Sequence, residues 1–515
     1  MGDASSPDRP TSDLTRHTLK GLQWAYLGSA VGGVLQFGMT AALARLVAPS
    51  AFGLIALANL FLRLVDYFAK AGVTQAVIQK PTLNPIDIRA AFTLSAGLAA
   101  GFSALVFALS PLAGRIVSEP ELTPVLRWLA LGLLLQGLGA TSIALLRRSL
   151  RFKSLAIIEV GSYTIGYVGV GLAMAIAGAE VYALIGAMLA QTSIKTISAY
   201  AQTRHPLLPT TSRPSHRAIL GFGARISVVG FFEFLRSNLD TLAVGRWAGA
   251  TQLGFYNRSK LLAELPSYQL MQGLSQVLFP SFSAIQADRQ RLLKAYLSAV
   301  GAAAALVLPL NAGMAVASRE IILVVLGPQW LPAAEVLPWL LLVSAIALTG
   351  HFAGVVAEAQ AALNAKIAIS LGATGMLAVL LFVARGRSLS AYGAALAAST
   401  IAAHLSYVGL ISRTLKTPLR VLLRPYGPAL LATIIVAVAI GGTRVLLLPY
   451  EMALTLPLLL LLEVVVGAIS LAAAFRIGPL RRVRRDLAQR LYDSKLMDDK
   501  STGLRRFVAL MLGHP

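Results

Sequence analysis

Ala44-Arg45-Leu46-Val47-Ala48-Pro49-Ser50-Ala51-Phe52-Gly53 has a diverged counterpart in Gly245-Arg246-Trp247-Ala248-Gly249-Ala250-Thr251-Gln252-Leu253-Gly254, 201 residues later. The same offset aligns Gly72-Val73-Thr74-Gln75-Ala76-Val77 with Gly273-Leu274-Ser275-Gln276-Val277-Leu278. One register held over both pairs of segments marks an internal duplication. The segments lie within or beside apolar stretches of membrane-spanning length. A duplicated, membrane-spanning chain reads first as a transporter, because substrate sites form between such repeats.

Composition sets the frame around the repeat. The chain has 515 residues, 56% hydrophobic and 13% charged, with a mean hydropathy of +0.71. So much apolar surface requires lipid as solvent, and a span takes about 20 apolar residues. Fourteen spans are predicted, near 22–46, 52–78, 90–112, 125–146, 154–177, 180–202, 219–245, 253–285, 295–316, 333–361, 367–384, 390–412, 426–448 and 453–475. The expected class is an all-α integral membrane protein with two pseudo-symmetric six-helix lobes and two extra C-terminal helices. The expected boundaries are a disordered cytoplasmic tail at 1–17, an N-lobe at 18–202, a cytoplasmic linker at 203–218 and a C-lobe at 219–412. The added spans occupy 413–475, and a basic cytoplasmic tail follows at 476–515. Six spans precede the linker, an even number, so the two lobes share one orientation.

The net charge of +23 follows a membrane rule and not a nucleic-acid one. With a cytoplasmic N-terminus, the inner connections hold 20 Lys and Arg before the C-terminal tail, and the outer ones hold 8. That bias places both termini in the cytoplasm. The segment Arg481-Arg482-Val483-Arg484-Arg485 reads as a positive-inside anchor, with an amphipathic segment on anionic lipid as the other reading. There is no cysteine, so thiolate chemistry is excluded. No signal peptide is expected at the polar N-terminus. No Walker A sequence, metal-ligand cluster or nucleophile motif is present, and no cofactor is expected. The outer connections around Gly114–Pro124 and Ser318–Pro332 leave little room for a catalytic domain. The chain is therefore expected not to be an enzyme.

Charges inside spans are costly and mark protein interiors or wet cavities. Arg63, Asp66 and Lys70 share one face of span 2. Glu233, Arg236 and Asp240 do so in span 7, and span 8 carries Arg258, Lys260 and Glu264. Arg63 and Glu264 are repeat-matched and are expected to face each other or a shared cavity. The competing reading is local pairing within each helix. Arg45 and Arg246 end matched spans, either as helix C-terminal cations or as phosphate contacts near an outer gate. Candidate substrate contacts are thus Arg45, Arg63, Lys70, Arg236, Arg246, Arg258 and Lys260; candidate ion-coupling residues are Asp66, Asp240 and Glu264. Glu159, Lys195, Glu358 and Glu463 read as isolated intramembrane charges. His404 has no nearby metal-ligating partner and reads as a packed polar residue.

Several stretches resemble the Wzx-type polysaccharide transporters. They are Thr18-Leu19-Lys20-Gly21-Leu22-Gln23-Trp24, Leu43 to Gly53, Gly72 to Lys80, Asn238 to Arg246, Gly254-Phe255-Tyr256-Asn257, Leu278-Phe279-Pro280-Ser281-Phe282-Ser283 and Leu326-Gly327-Pro328-Gln329-Trp330. The resemblance runs from about Thr18 to Ile411. It implies a superfamily that also holds drug antiporters and lipid II flippases, and a fold of two six-helix lobes around a central cavity. It implies movement of an undecaprenyl-diphosphate-linked oligosaccharide from the inner to the outer leaflet of a bacterial inner membrane. Partners implied are the lipid bilayer and polysaccharide polymerase or export machinery, with no nucleic acid. The family has no strict catalytic signature, so the charged residues rest on position alone. The alternatives are an ion-coupled drug antiporter, which resistance to cationic drugs on overexpression would favour, and a membrane glycan polymerase or glycosyltransferase, disfavoured by the short outer loops.

Overall fold

The structure is a computed structural model. It describes residues 11–69, 77–78, 80, 82–210, 237–265, 282, 285, 288–360, 362–447, 455–476, 478, 480–481 and 483–485. Most described residues are helical, with no strand among them. A backbone in hydrocarbon must satisfy its own polar groups, and helices do so within one segment.

By packing, the chain divides into two compact units, Met1–Gly254 and Phe255–Pro515. The division expected from the duplication is at the 203–218 linker, of which residues 211–218 lie outside the described residues. In the first unit the helices are α1 (Thr11–Leu46), α2 (Pro49–Ala69), α3 (Pro85–Val117), α4 (Leu122–Arg148), α5 (Phe152–Ile176) and α6 (Val181–Thr203). A further helical stretch covers 237–265 and is bent at Gly249, where φ is 86°. In the second unit they are α7 (Arg289–Val316), α8 (Ser318–Val325), α9 (Ala333–Ala359), α10 (Leu363–Val383), α11 (Leu389–Thr414), α12 (Leu419–Leu423), α13 (Tyr426–Leu447) and α14 (Leu456–Arg476).

Ten described helices are long and apolar enough to cross a membrane. They match ten of the predicted spans. The helix α6 forms where span 180–202 was expected, and α2 occupies the start of span 52–78. Spans 219–245 and 253–285 lie partly outside the described residues. Two expectations shift. The helix α1 already begins at Thr11, inside the stretch expected as a tail. The connection at 318–332, expected on the outer side, is not a loop: it contains α8 and a 3-10 turn at Pro328–Trp330. A helix of eight residues is too short to register as a span, yet α8 buries Ser318, Glu320 and Ile322.

Local sequence explains the ends that position the first unit. Asn84 precedes α3 and its N–H donates to Asp87 Oδ2 at 3.1 Å, while Pro85 needs no partner for a missing N–H. Asp87 is buried and paired with Lys80 at 2.6 Å. The Arg148 guanidinium closes the corner by donating to the carbonyls of Val77 at 2.7 Å and Lys80 at 2.6 Å.

The duplicated segments meet each other. A Cβ placed on Gly53 would lie 1.7 Å from the carbonyl oxygen of Ala250; one on Gly254 would lie 2.0 Å from that of Pro49. Position 53 matches 254, and 49 matches 250, at the repeat offset. Matched residues exchanging partners is the signature of a local two-fold contact. Only glycine lets the two helix starts touch through their backbones.

Candidate functional site

Asn59 and Arg63 are four residues apart on α2 and share a face. With Gln136 of α4 and Thr192 of α6 they line a cavity of ≈ 220 Å³ in the first unit. Its apolar wall includes Leu62, Leu129, Leu133, Met188 and Leu189. Arg63 is exposed at the open side of this cavity. Among the described residues it makes no ion pair, and no carboxylate lines the cavity. A guanidinium and two carboxamides in apolar surroundings form a donor-rich surface for a polar or anionic group, beside the Thr192 hydroxyl, which donates to the Met188 carbonyl at 2.8 Å.

A second feature holds the repeat contact in place. The connection between α3 and α4 presents Ser118 and Glu119. Arg246 Nη1 donates to Ser118 Oγ at 2.9 Å, and the Ala250 N–H donates to Glu119 Oε1 at 2.7 Å. Ala250 follows the bend at Gly249, so Glu119 supplies a negative charge to newly exposed N–H groups at a helix start. Arg246, Ser118 and Glu119 thus form a latch over the helix starts at 49–53 and 250–254.

The remaining candidates are placed as follows. Arg45 lies in the last turn of α1 and is exposed. Asp240 is buried, with the Thr241 hydroxyl 3.5 Å from its Oδ1. Arg258 and Lys260 are half-buried, and Glu264 is exposed. Lys70, Arg236 and the side chain of Asp66 lie outside the described residues. Arg63 and Arg246 therefore serve different features, the cavity and the latch.

Some intramembrane charges read as isolated are paired. Lys195 of α6 donates to Glu159 of α5, and Lys366 of α10 to Glu358 of α9. Partners on different helices are invisible to spacing within one helix. His404 is a packed polar residue, with Tyr426 Oη 3.1 Å from its Nε2. The cavity's neutral members and Glu119 escaped the sequence reading, which weighed charges inside spans. The spacing of Asn59 and Arg63 was the available signal.

The segment after α6 is strapped to the first unit. Arg89 donates to the carbonyls of Leu208 at 3.1 Å and Pro209 at 2.8 Å, and the Thr210 N–H donates to Thr93 Oγ1 at 3.0 Å. His205 is buried between the rings of Phe92 and Tyr200, with Nε2 3.0 Å from Ser142 Oγ. Burial lowers its pKa from the usual histidine value, against a smaller upward pull from the Pro206 carbonyl.

Residues 42–335 match the family model described as "Polysaccharide biosynthesis protein". The chain is 25% identical over 350 residues to the lipopolysaccharide biosynthesis protein WzxC of Escherichia coli K12, covering 68% of this chain and 71% of that one. It is 24% identical to the succinoglycan biosynthesis transport protein ExoT of Rhizobium meliloti 1021, covering 61% and 63%. Among solved structures, the inward closed lipid II flippase MurJ aligns with a TM-score of 0.65 at 12% identity, over 88% of this chain and 98% of that one. An inward-facing multidrug MATE transporter aligns at 0.53 and 14% identity, over 76% and 99%. These two likenesses speak to the fold alone. Family match, apolar helices and sequence motifs agree: the chain belongs to the polysaccharide biosynthesis protein family and is a Wzx-type membrane transporter, not an enzyme.

Proposed function

We propose that this protein flips an undecaprenyl-diphosphate-linked oligosaccharide from the inner to the outer leaflet of a bacterial inner membrane, feeding surface polysaccharide synthesis. The observation that carries the reading is Arg63 in its cavity. A cation held among apolar helices with no ion-pair partner among the described residues favours an anionic ligand. A diphosphate suits the planar guanidinium, which makes paired hydrogen bonds. Asn59, Gln136 and Thr192 add neutral groups of the kind that hold sugar hydroxyls. The lipid tail stays in the bilayer while the headgroup crosses, so only polar groups need shelter.

The latch supports alternating access as the mechanism. Two matched helix starts pinned together suit halves of one orientation, with both termini cytoplasmic, rocking about a two-fold axis. With that orientation the latch closes the outer side. Arg45, Lys70, Arg236, Arg246, Arg258 and Lys260 remain proposed headgroup contacts, and Asp66, Asp240 and Glu264 proposed coupling residues. The relatives' names, lipopolysaccharide and succinoglycan biosynthesis, support a glycan cargo.

The test is removal of the protein from its host. Lipid-linked repeat units should accumulate facing the cytoplasm, with glycosyltransferase activity in membranes unchanged. Normal export of the glycan in the deletion strain would end this reading.

A further inference from the structure

The helices α13 and α14 lie outside the duplication, yet they bury charge. Gly313 of α7 and Gly467 of α14 both face Ile440 of α13, and a Cβ on either would lie 3.0 Å from Ile440 Cδ1. The three helices therefore approach closely at this level. One turn from Gly467, Glu463 is 1% exposed; α8 delivers Glu320, 2% exposed, to the same region. Arg444 of α13 pairs with Glu320, its Nη2 lying 3.3 Å from Oε1.

The charges do not balance. Of the two carboxylates, only Glu320 is paired with the guanidinium. Both oxygens of Glu463 are sealed from solvent without a hydrogen-bond partner in the protein, as is Oε2 of Glu320. The charges of Glu320 and Arg444 both act on Glu463. Arg319, beside Glu320 on α8, is exposed and turned to the surface. The helix α7 contributes no titratable group at this depth; its buried polar residue is Asn311, whose amide oxygen and nitrogen are also without partners. An uncompensated buried carboxylate is among the costliest groups a protein can hold, and it takes up a positive charge instead.

We propose that Glu463, Glu320 and Arg444 form a binding site for one monovalent cation, a proton or a sodium ion, between α8, α13 and α14. A proton would sit on a Glu463 oxygen; a sodium ion would take oxygens from Glu463 and Glu320. The repeat gives the site a precedent. Glu320 matches Glu119 at the 201-residue offset. In the first unit that carboxylate accepts a backbone N–H; in the second it is turned to a guanidinium beside another acid. The inference concerns what these helices bind and does not depend on the cargo.

The experiment uses the full chain in nanodiscs at neutral pH. Infrared difference spectra between wild type and Glu463→Gln report a protonated carboxyl. Thermal unfolding in sodium, potassium and choline chloride at equal ionic strength reports sodium. A protonated-carboxyl band lost in E463Q identifies the proton. A sodium-specific rise in melting temperature lost in E463Q identifies the metal ion. Glu320→Gln supplies a second variant, because Arg444 is then released to pair with Glu463 and either signal should disappear. Absence of both signals in wild type, or their persistence in E320Q, overturns the site.

Discussion

Arg63 and His205 show how single residues set conditions on this protein. The cavity offers Arg63 no carboxylate, so its charge is available to a ligand. A hydrogen bond to a charged group contributes about 1.5–3 kcal/mol. Arg63→Gln should therefore lower glycan export about 10- to 100-fold at unchanged protein level, measured as lipid-linked intermediate accumulated per cell. Arg63→Lys should fall between, because a lysine keeps the charge and loses the fork. His205 makes a pH prediction. Its folded pKa is lowered, so the unfolded chain binds the proton more readily. The stability it contributes is present above the unfolded value of about 6.5 and is lost as pH falls through that value towards the folded one. Proteolysis within the strapped segment 204–210 should accelerate below about pH 6.5, and His205→Phe should flatten that response. Glu463, Glu320 and Arg444 were each legible as charges; that Arg444 answers one acid and leaves the other buried without a partner was not, because they sit on three helices.

At the scale of elements, the latch and the glycine contact are two halves of one joint. Ala on Gly53 or Gly254 meets a backbone carbonyl that no side-chain rearrangement can move. Overpacking of this kind costs about 1–3 kcal/mol. Gly53→Ala should open the joint, seen as faster labelling of a single cysteine introduced at Ala51, which is buried when the helix starts touch. The natural chain has no cysteine, so the label has no background. Unchanged labelling in G53A would show that this contact does not open in the transport cycle. Glu119→Ala should act in the same direction by about 1 kcal/mol, the usual contribution of a capping group. The same labelling assay reads it, and Glu119→Gln should retain part of the effect. Spans were legible from apolar runs of the right length. The short helix α8 was not, because eight residues are fewer than half of what a span needs.

At the scale of the whole molecule, the proposed orientation is open to direct test. Reporters fused to either terminus should register the cytoplasm, and one inserted at Gly386, between α10 and α11, should register the opposite side. A reporter at either terminus that registers the outside would remove the outer-side assignment of the latch. The duplication, the apolar periods and the Lys and Arg bias are properties of segments, each short enough to be read along the chain. They determined that this is an all-α, multi-pass, duplicated transporter. Which charges are answered was decided by contacts between distant segments, such as Glu119 with Ala250, 131 residues apart. The same holds for Lys195 with Glu159, the cavity built by α2, α4 and α6, and the unbalanced acids of α8 and α14. Lipid as solvent makes segments apolar everywhere, so composition alone cannot tell a charge that meets a partner from one that awaits a ligand. Only the packing of the helices separates the two.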